Sequence, residues 1–365
     1  MSNSPTKMRF LLLAAAFLAI PLAARADTVR PAVGKPLQQA SALMQQKNYQ
    51  AALQKVQRAA AVPHLSAYET LLIAEVGGAA ATGAGDYRRA AADYSQVLAS
   101  GPLPPAQQVQ LIQAIAGDYY RLADYRSTIT WVNRYIAAQG QDPRTRLLLA
   151  QAYYQSADYP HAEQAAARDV QAAQITGQAV PQAELQIFAS SAQKSGDKPG
   201  YQAALLALLA AYPSPQYWAP AIDGVVSSPD FPDRLTLDVY RLRRATGTLT
   251  APGDYEDYAE RAVLAGRRQE ARDVIMQGFS AGILTAQTDA GHAERLRTLL
   301  ASPQADNAAP QTPLDTAIAA FLAGNAAAAL AAFNQIAGPA DAPPTSPDAS
   351  LARLWAIRAA RPVSG

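Results

Sequence analysis

Residues 118–125 read DYYRLADY and residues 152–159 read AYYQSADY, so a double tyrosine and an Ala-Asp-Tyr triplet return with the same internal spacing. Tyr125 and Tyr159 lie 34 residues apart (159 − 125). A repeat of that length holds one pair of helices, which cannot bury its own apolar face and must stack on the next copy.

The repeat has a register. Asn48-Tyr49, Asp86-Tyr87, Asp124-Tyr125 and Asp158-Tyr159 follow one another at intervals of 38, 38 and 34 residues, each between two helix-length segments. Three residues after the tyrosine stands Ala52, Ala90, Thr128 or Ala162, and seven after it Val56, Tyr94, Val132 or Ala166. Positions i, i+3 and i+7 share one helix face, so these residues form the inward stripe of a second helix. The preceding helix carries its own stripe, a small residue followed by a second residue three positions on: Ala40 and Leu43, Gly78 and Ala81, Ala116 and Tyr119, Ala150 and Tyr153.

On these residues the chain resembles the tetratricopeptide repeat family, whose small residues sit where paired helices cross and whose turn tyrosine packs between them. The second copy matches best and ends at VLASGP, with Pro102 where the family places a proline. Weaker copies cover Leu185 to Pro213, the stretch EDYAERAVLAGRRQEARDVIMQGF with Arg268 in place of the turn tyrosine, and LDTAIAAFLAGNAAAALAAFNQI with Ala326 there. Between them, SPQYWAPAIDGVVSSPDFPDRLTLDVYRLRRATG reads as two helices punctuated by Pro229 and Pro232. That stretch and the next copy are similar to a region of exported proteobacterial tetratricopeptide proteins without assigned activity, some encoded near TonB-type energy-transduction components. The resemblance implies an all-α fold, an α-α superhelical solenoid with a less regular helical C-terminal region.

Composition agrees. Half of the residues are hydrophobic but only 7% aromatic, a mixture dominated by alanine and leucine that suits helices meeting at close crossings. The absence of cysteine excludes disulfides, thiolate metal sites, a cysteine nucleophile and a lipidated cysteine. The N-terminus carries Lys7 and Arg9, the apolar run FLLLAAAFLAI, Pro21 and the triplet Ala24-Arg25-Ala26, the pattern of a secretory signal peptide over residues 1–26. An apolar run of 11 residues is too short for a bilayer core, which takes about 20 helical residues, so no transmembrane segment is expected after cleavage. Export from a chain of this class points to the periplasm of a Gram-negative bacterium. Removing Lys7, Arg9 and Arg25 leaves 28 basic residues against 29 acidic ones, moving the formal charge from +2 to −1. A nearly neutral chain without a Lys/Arg stripe gives no footprint for nucleic acid.

The expected organisation is the leader at 1–26, tetratricopeptide-like repeats and an atypical helical pair at 27–245, a degenerate repeat region at 246–337, a linker at 338–348, and a capping helix with its tail at 349–365. The stretch PQADNAAPQT at 303–312 reads as a further linker or long loop. In the capping helix Leu351, Leu354 and Trp355 fall at helical spacing and would cover the last apolar face.

Motifs for chemistry are missing. His64, His161 and His292 are far apart and lack metal-ligand spacing, no G-x-S-x-G elbow occurs, and VGGAAATGAGDY lacks the G-K-[ST] ending of a phosphate loop. Its glycines at 77 and 78 are better explained by close helix packing. Arg241, Arg243 and Arg244 with Arg267 and Arg268 form either a solvated helix end or an anion site. Neither an enzyme nor a cofactor is expected.

In the family, first helices line a concave groove that holds the ligand. Carried over, the exposed first-helix positions are Gln113, Gly117, Tyr120 and Arg121 in the third copy and Leu147, Gln151, Tyr154 and Gln155 in the fourth. Within each double tyrosine the first ring is expected in the core and the second toward the groove. The partner-binding residues are therefore Gln113, Tyr120, Arg121, Gln151, Tyr154 and Gln155, and rings beside amide and guanidinium groups suit an extended peptide or a glycan. A scaffold for another protein is the leading expectation; a polysaccharide-secretion accessory and a partner of a TonB-type system are the alternatives.

Overall fold

The computed structural model describes residues 29–285, 312–339, 342 and 344–361. The expected leader at 1–26, His292 and nearly all of the stretch 303–312 lie outside these. Among the described residues the secondary structure is helical, with 17 α-helices and no strand. The chain forms two compact units, residues 1–169 and 170–365.

The first unit holds α1 (Pro31–Gln45), α2 (Tyr49–Ala60), α3 (Ala67–Ala84), α4 (Tyr87–Ala99), α5 (Pro105–Arg121), α6 (Tyr125–Ala137), α7 (Pro143–Gln155) and the start of α8 (Tyr159–Thr176). Successive helices pair antiparallel, α1 with α2, α3 with α4 and α5 with α6, and each second helix also packs on the first helix of the next pair. This is an α-α solenoid of helix pairs.

The recurring Ala-Asp-Tyr is a turn written residue by residue. Before each second helix the chain passes through the left-handed region, at Lys47 (φ 58°), Gly85 (φ 81°), Ala123 (φ 56°) and Ala157 (φ 58°). The next residue, Asn48, Asp86, Asp124 or Asp158, donates its backbone N–H to the carbonyl five residues back, on Leu43, Ala81, Tyr119 or Tyr153, at 2.9–3.0 Å. That bond closes the first helix. The side chains of Asn48, Asp86 and Asp124 then accept from Ala51, Arg89 and Ser127 amides and open the second helix. One polar residue thus ends one helix and begins another.

Packing follows the expected stripes. Ala52, Ala90, Thr128 and Ala162 are fully buried, as are Ala40, Ala116 and Val132. Glycines supply clearance for rings: a Cβ on Gly78 would lie 2.6 Å from Tyr94 Cε1, and one on Gly83 would overlap the Tyr49 ring. The stretch VGGAAATGAGDY is therefore a helix crossing and a turn.

In the second unit α9 (Gln182–Ser195) and α10 (Lys198–Ala211) form a pair, followed by α11 (Pro215–Val226), a 3-10 turn at Asp233–Leu235, α12 (Thr236–Thr246), the pair α13 (Pro252–Leu264) and α14 (Arg268–Ser280), the pair α15 (Pro313–Leu322) and α16 (Ala326–Ala337), and α17 (Pro347–Ala359). The helical turn recurs at Gly196-Asp197, Gly266-Arg267 and Gly324-Asn325.

α17 buries Leu351, Leu354 and Trp355 completely, with Trp355 stacked on Phe333 at 5.7 Å and edge-on to Phe321 at 5.4 Å. It packs on α15 and α16, and also on α10, α11 and α12, elements more than 100 residues earlier. Three of its arginines satisfy helix-end carbonyls. Arg353 donates to Ala337 O at the end of α16, Arg358 to Ala245 O near the end of α12, and Arg361, just past α17, to Leu209 O and Ala210 O in the last turn of α10. Last-turn carbonyls have no partner inside their own helix, and a guanidinium fork suits them. The closing helix is thus a central strut of its unit as well as a cover for the last repeat. Among the described residues no helix is long and apolar enough to cross a membrane.

Candidate functional site

The first helices of the first unit are joined side by side through their polar residues. Thr82 on α3 donates to Asp118 on α5 at 3.2 Å. Gln113 on α5 donates to Thr145 Oγ1 on α7 at 2.8 Å and to Asp142, the residue capping α7, at 3.0 Å. These bonds set α3, α5 and α7 into one register, and all six expected partner-binding residues lie on α5 and α7.

Gln113 and Arg121 are already engaged. Gln113 spends its amide nitrogen on α7, while Arg121 pairs with Asp118 at 3.5 Å and lies over the Tyr87 ring at 5.3 Å. Gln155 is exposed at the end of α7. Gln151 is the unusual one. It is 8% exposed, and its amide oxygen is buried without a hydrogen-bond partner. Such an oxygen carries a desolvation cost of about 1–3 kcal/mol until something donates to it.

The division within the double tyrosines differs from expectation. Tyr119, Tyr120, Tyr153 and Tyr154 are all half-buried, so burial does not separate first ring from second. What separates them is the partner each ring meets. Tyr120 meets Tyr125 at 6.1 Å and Tyr154 meets Tyr159 at 5.5 Å, each second ring tilted against the turn tyrosine of its own copy, whereas Tyr153 stacks on His161 at 5.2 Å. The turn tyrosine braces its neighbour, so each second ring has little freedom left to lose on binding.

Asp118 was not among the expected residues. Its side chain is fully buried, and burial pushes its carboxyl up to about 7 against the opposing pull of Arg121 and Thr82. The clue lay in the opening octet, where an acid stands at the position that Ala152 fills in the next copy. An acid in a stripe of small residues has to find a donor across the helix interface.

The arginine cluster of the second unit is a paired network rather than a solvated helix end. Arg241 is 3% exposed and fully committed: its guanidinium grips Glu270 with two bonds of 2.7 Å and reaches Asp238 and Asp315 at 2.9 Å each. Arg267 also binds Asp315, at 2.8 Å, Arg243 binds Asp223 and Arg244 binds Gln277. Tyr258 donates to Glu270 at 2.8 Å. Burial alone would raise Glu270, and the bonds from Arg241 and Tyr258 outweigh it, whereas Asp238 is pushed up to about 6 by burial against the pull of Arg241. Arg241, Arg243 and Arg267 are thus each matched by carboxylates, and Arg244 is held by a neutral amide.

Among the described residues no group of three His, Asp or Glu is placed to hold a metal ion. A comparison with protein-family models finds no match, and a comparison with curated proteins finds none.

Proposed function

We propose that the chain is a non-catalytic scaffold of the tetratricopeptide type that holds an extended segment of a partner protein along α5 and α7 of the first unit. The observation that carries this reading is the buried, unpartnered amide oxygen of Gln151, on the same helix face as Tyr154 one turn on. An extended peptide presents backbone N–H groups at regular intervals, and one of them would satisfy that oxygen once the enclosed Gln151 amide turns outward. Tyr120 and Tyr154, braced by Tyr125 and Tyr159, supply apolar area with little entropy to lose, and Arg121 and Gln155 fix register at the edge. From the leader-like residues 1–26 we propose in the same reading that this scaffold works in the periplasm, and fusing them to a reporter active only after export tests it.

Selection of a random-peptide display library on the immobilised protein, followed by anisotropy titration of an enriched peptide, tests the binding. Replacing Tyr120 and Tyr154 together with alanine should weaken the peptide at least about tenfold, the loss of roughly 1.4 kcal/mol expected from two contact rings. Melting temperature should change little. A large fall in melting temperature with unchanged affinity would make the two rings structural and sink the proposal.

A further inference from the structure

The second unit contains a cavity of about 250 Å³ between α9 and α11, floored by α10. No residue lining it carries a formal charge. Tyr217, 8% exposed, stands in its wall, and its oxygen accepts from Gln186 Nε2 at 2.9 Å and Gln182 Nε2 at 3.2 Å. A phenol that accepts from amides still has its own proton to give. Burial alone would raise the Tyr217 pKa, but the amide bonds from Gln186, Gln182 and Gln216 outweigh it and hold the hydroxyl below its ordinary value, which sharpens it as a donor. Gln186, whose nitrogen faces Tyr217, keeps its amide oxygen as an acceptor.

One donor beside one acceptor is the complement of a secondary amide. The floor beneath them is apolar, formed by the buried Leu205 and Leu208. Ser190 and Gln193 add hydrogen-bonding groups on the α9 wall. We propose that this cavity is a subsite for the N-acetyl group of a neutral amino sugar. The acetamido carbonyl accepts from Tyr217, its N–H donates to Gln186, its methyl rests on Leu205 and Leu208, and ring hydroxyls meet Ser190 and Gln193. The uncharged lining disfavours acidic sugars and basic peptides, whose charges would lose water without gaining a partner. The site lies in the second unit and is independent of the peptide-holding face on α5 and α7.

Saturation-transfer NMR on the purified protein, with N-acetylglucosamine, glucose and N-acetylalanine methylamide each at up to about 10 mM, covers the weak range expected of a single sugar. The acetyl methyl of N-acetylglucosamine should receive the strongest saturation, and titration should give glucose an affinity about tenfold lower, the worth of a good hydrogen-bonded pair. Tyr217→Phe should weaken N-acetylglucosamine by a similar factor. Ser190→Met fills the cavity without touching the Tyr217 bonds, so it should also abolish saturation, and it decides the matter if Tyr217→Phe fails to fold. Equal binding of glucose and N-acetylglucosamine, equal binding of the methylamide, no response to the sugar, or undiminished response in folded Ser190→Met would each overturn the assignment.

Discussion

In the first unit the ends of successive helices are satisfied within a few residues: the cap residue of each turn closes the helix behind it and, in three of four turns, its side chain opens the helix ahead. In the second unit three helix ends are satisfied from afar, by Arg353, Arg358 and Arg361 projecting from or just beyond α17. Their cores differ in the same way. The first unit packs small residues against rings, while the second buries a guanidinium among three carboxylates. A locally closed repeat can be extended or shortened one copy at a time. A unit tied together by long-range charge stands or falls as a whole, and that difference can be tested by breaking each in turn.

The largest effect is expected at Arg241. Replacing it with methionine leaves Asp238 buried without its ion-pair partner and strips two bonds from Glu270, while Asp315 retains Arg267. Breaking a buried pair on one side costs about 3–5 kcal/mol, because the charge left behind has lost both water and partner. Hydrogen exchange should rise across α12 to α17 and stay unchanged in α1 to α6. Asp238, already raised to about 6, would take up a proton more readily in the variant, so the loss should shrink toward acidic pH. Equal loosening of both units would show that the local closure of the first does not protect it.

Next comes Asp118, a fully buried carboxyl of the first unit. With its folded value near 7 against an ordinary 3.8, the folded chain holds a proton between roughly pH 4 and pH 7 that the unfolded chain has released. Stability should therefore fall as pH rises through that window, by up to a few kcal/mol since each unit is worth about 1.4 kcal/mol. Asp118→Asn keeps an acceptor for Thr82 and removes the titration. Its melting temperature should match the parent near pH 4 and exceed it at pH 8; parallel pH profiles would show that Asp118 is ionised throughout.

A smaller loss is expected where glycine makes room for a ring. Gly78→Ala gains about 1 kcal/mol of helix propensity, yet its Cβ would sit 2.6 Å from the Tyr94 ring, and forced repacking of a tight core costs about 1–3 kcal/mol. The clash should win by roughly 1 kcal/mol. Adding Tyr94→Leu should recover most of what the clash costs, and chemical denaturation of the single and double variants measures both terms.

These differences also explain what the sequence could reveal. The first unit was legible because each copy repeats its own solution: the buried Ala52, Ala90 and Ala162 and the caps at Asn48, Asp86 and Asp124 all follow from spacing. The Arg241 cluster was not, since Asp238, Glu270 and Asp315 are separated by up to 77 residues (315 − 238) and no period relates them. Arg358 and Arg361 are equally silent, because a charged residue on a terminal helix reads as solvated unless its distant carbonyl is known. On the α5–α7 face, periodicity selected Gln151 but gave no sign that its amide oxygen would be buried and unpartnered, which depends on the neighbouring helix.

The smallest effect is the sharpest test of local closure, since it has the opposite sign. Ala123 and Ala157 occupy the left-handed position of their turns at φ 56° and φ 58°, where Gly85 stands in the second copy and Gly196, Gly266 and Gly324 stand in the second unit. An L-residue pays about 1–2 kcal/mol for that conformation, whereas glycine adopts it freely but brings roughly 0.5–1 kcal/mol of extra chain entropy to be lost on folding. The strain term is the larger. Ala123→Gly and Ala157→Gly should each stabilise the protein by about 0.5–1 kcal/mol, and because the turns lie 34 residues apart without shared partners, the two gains should add. Gly85→Ala should lose a comparable amount. Denaturation midpoints of the three variants and the Ala123→Gly/Ala157→Gly pair measure this directly. If glycine at 123 destabilised, the turn would be held by something other than the closure that its cap residue provides, and the contrast between a locally closed unit and a distantly braced one would fail at its simplest point.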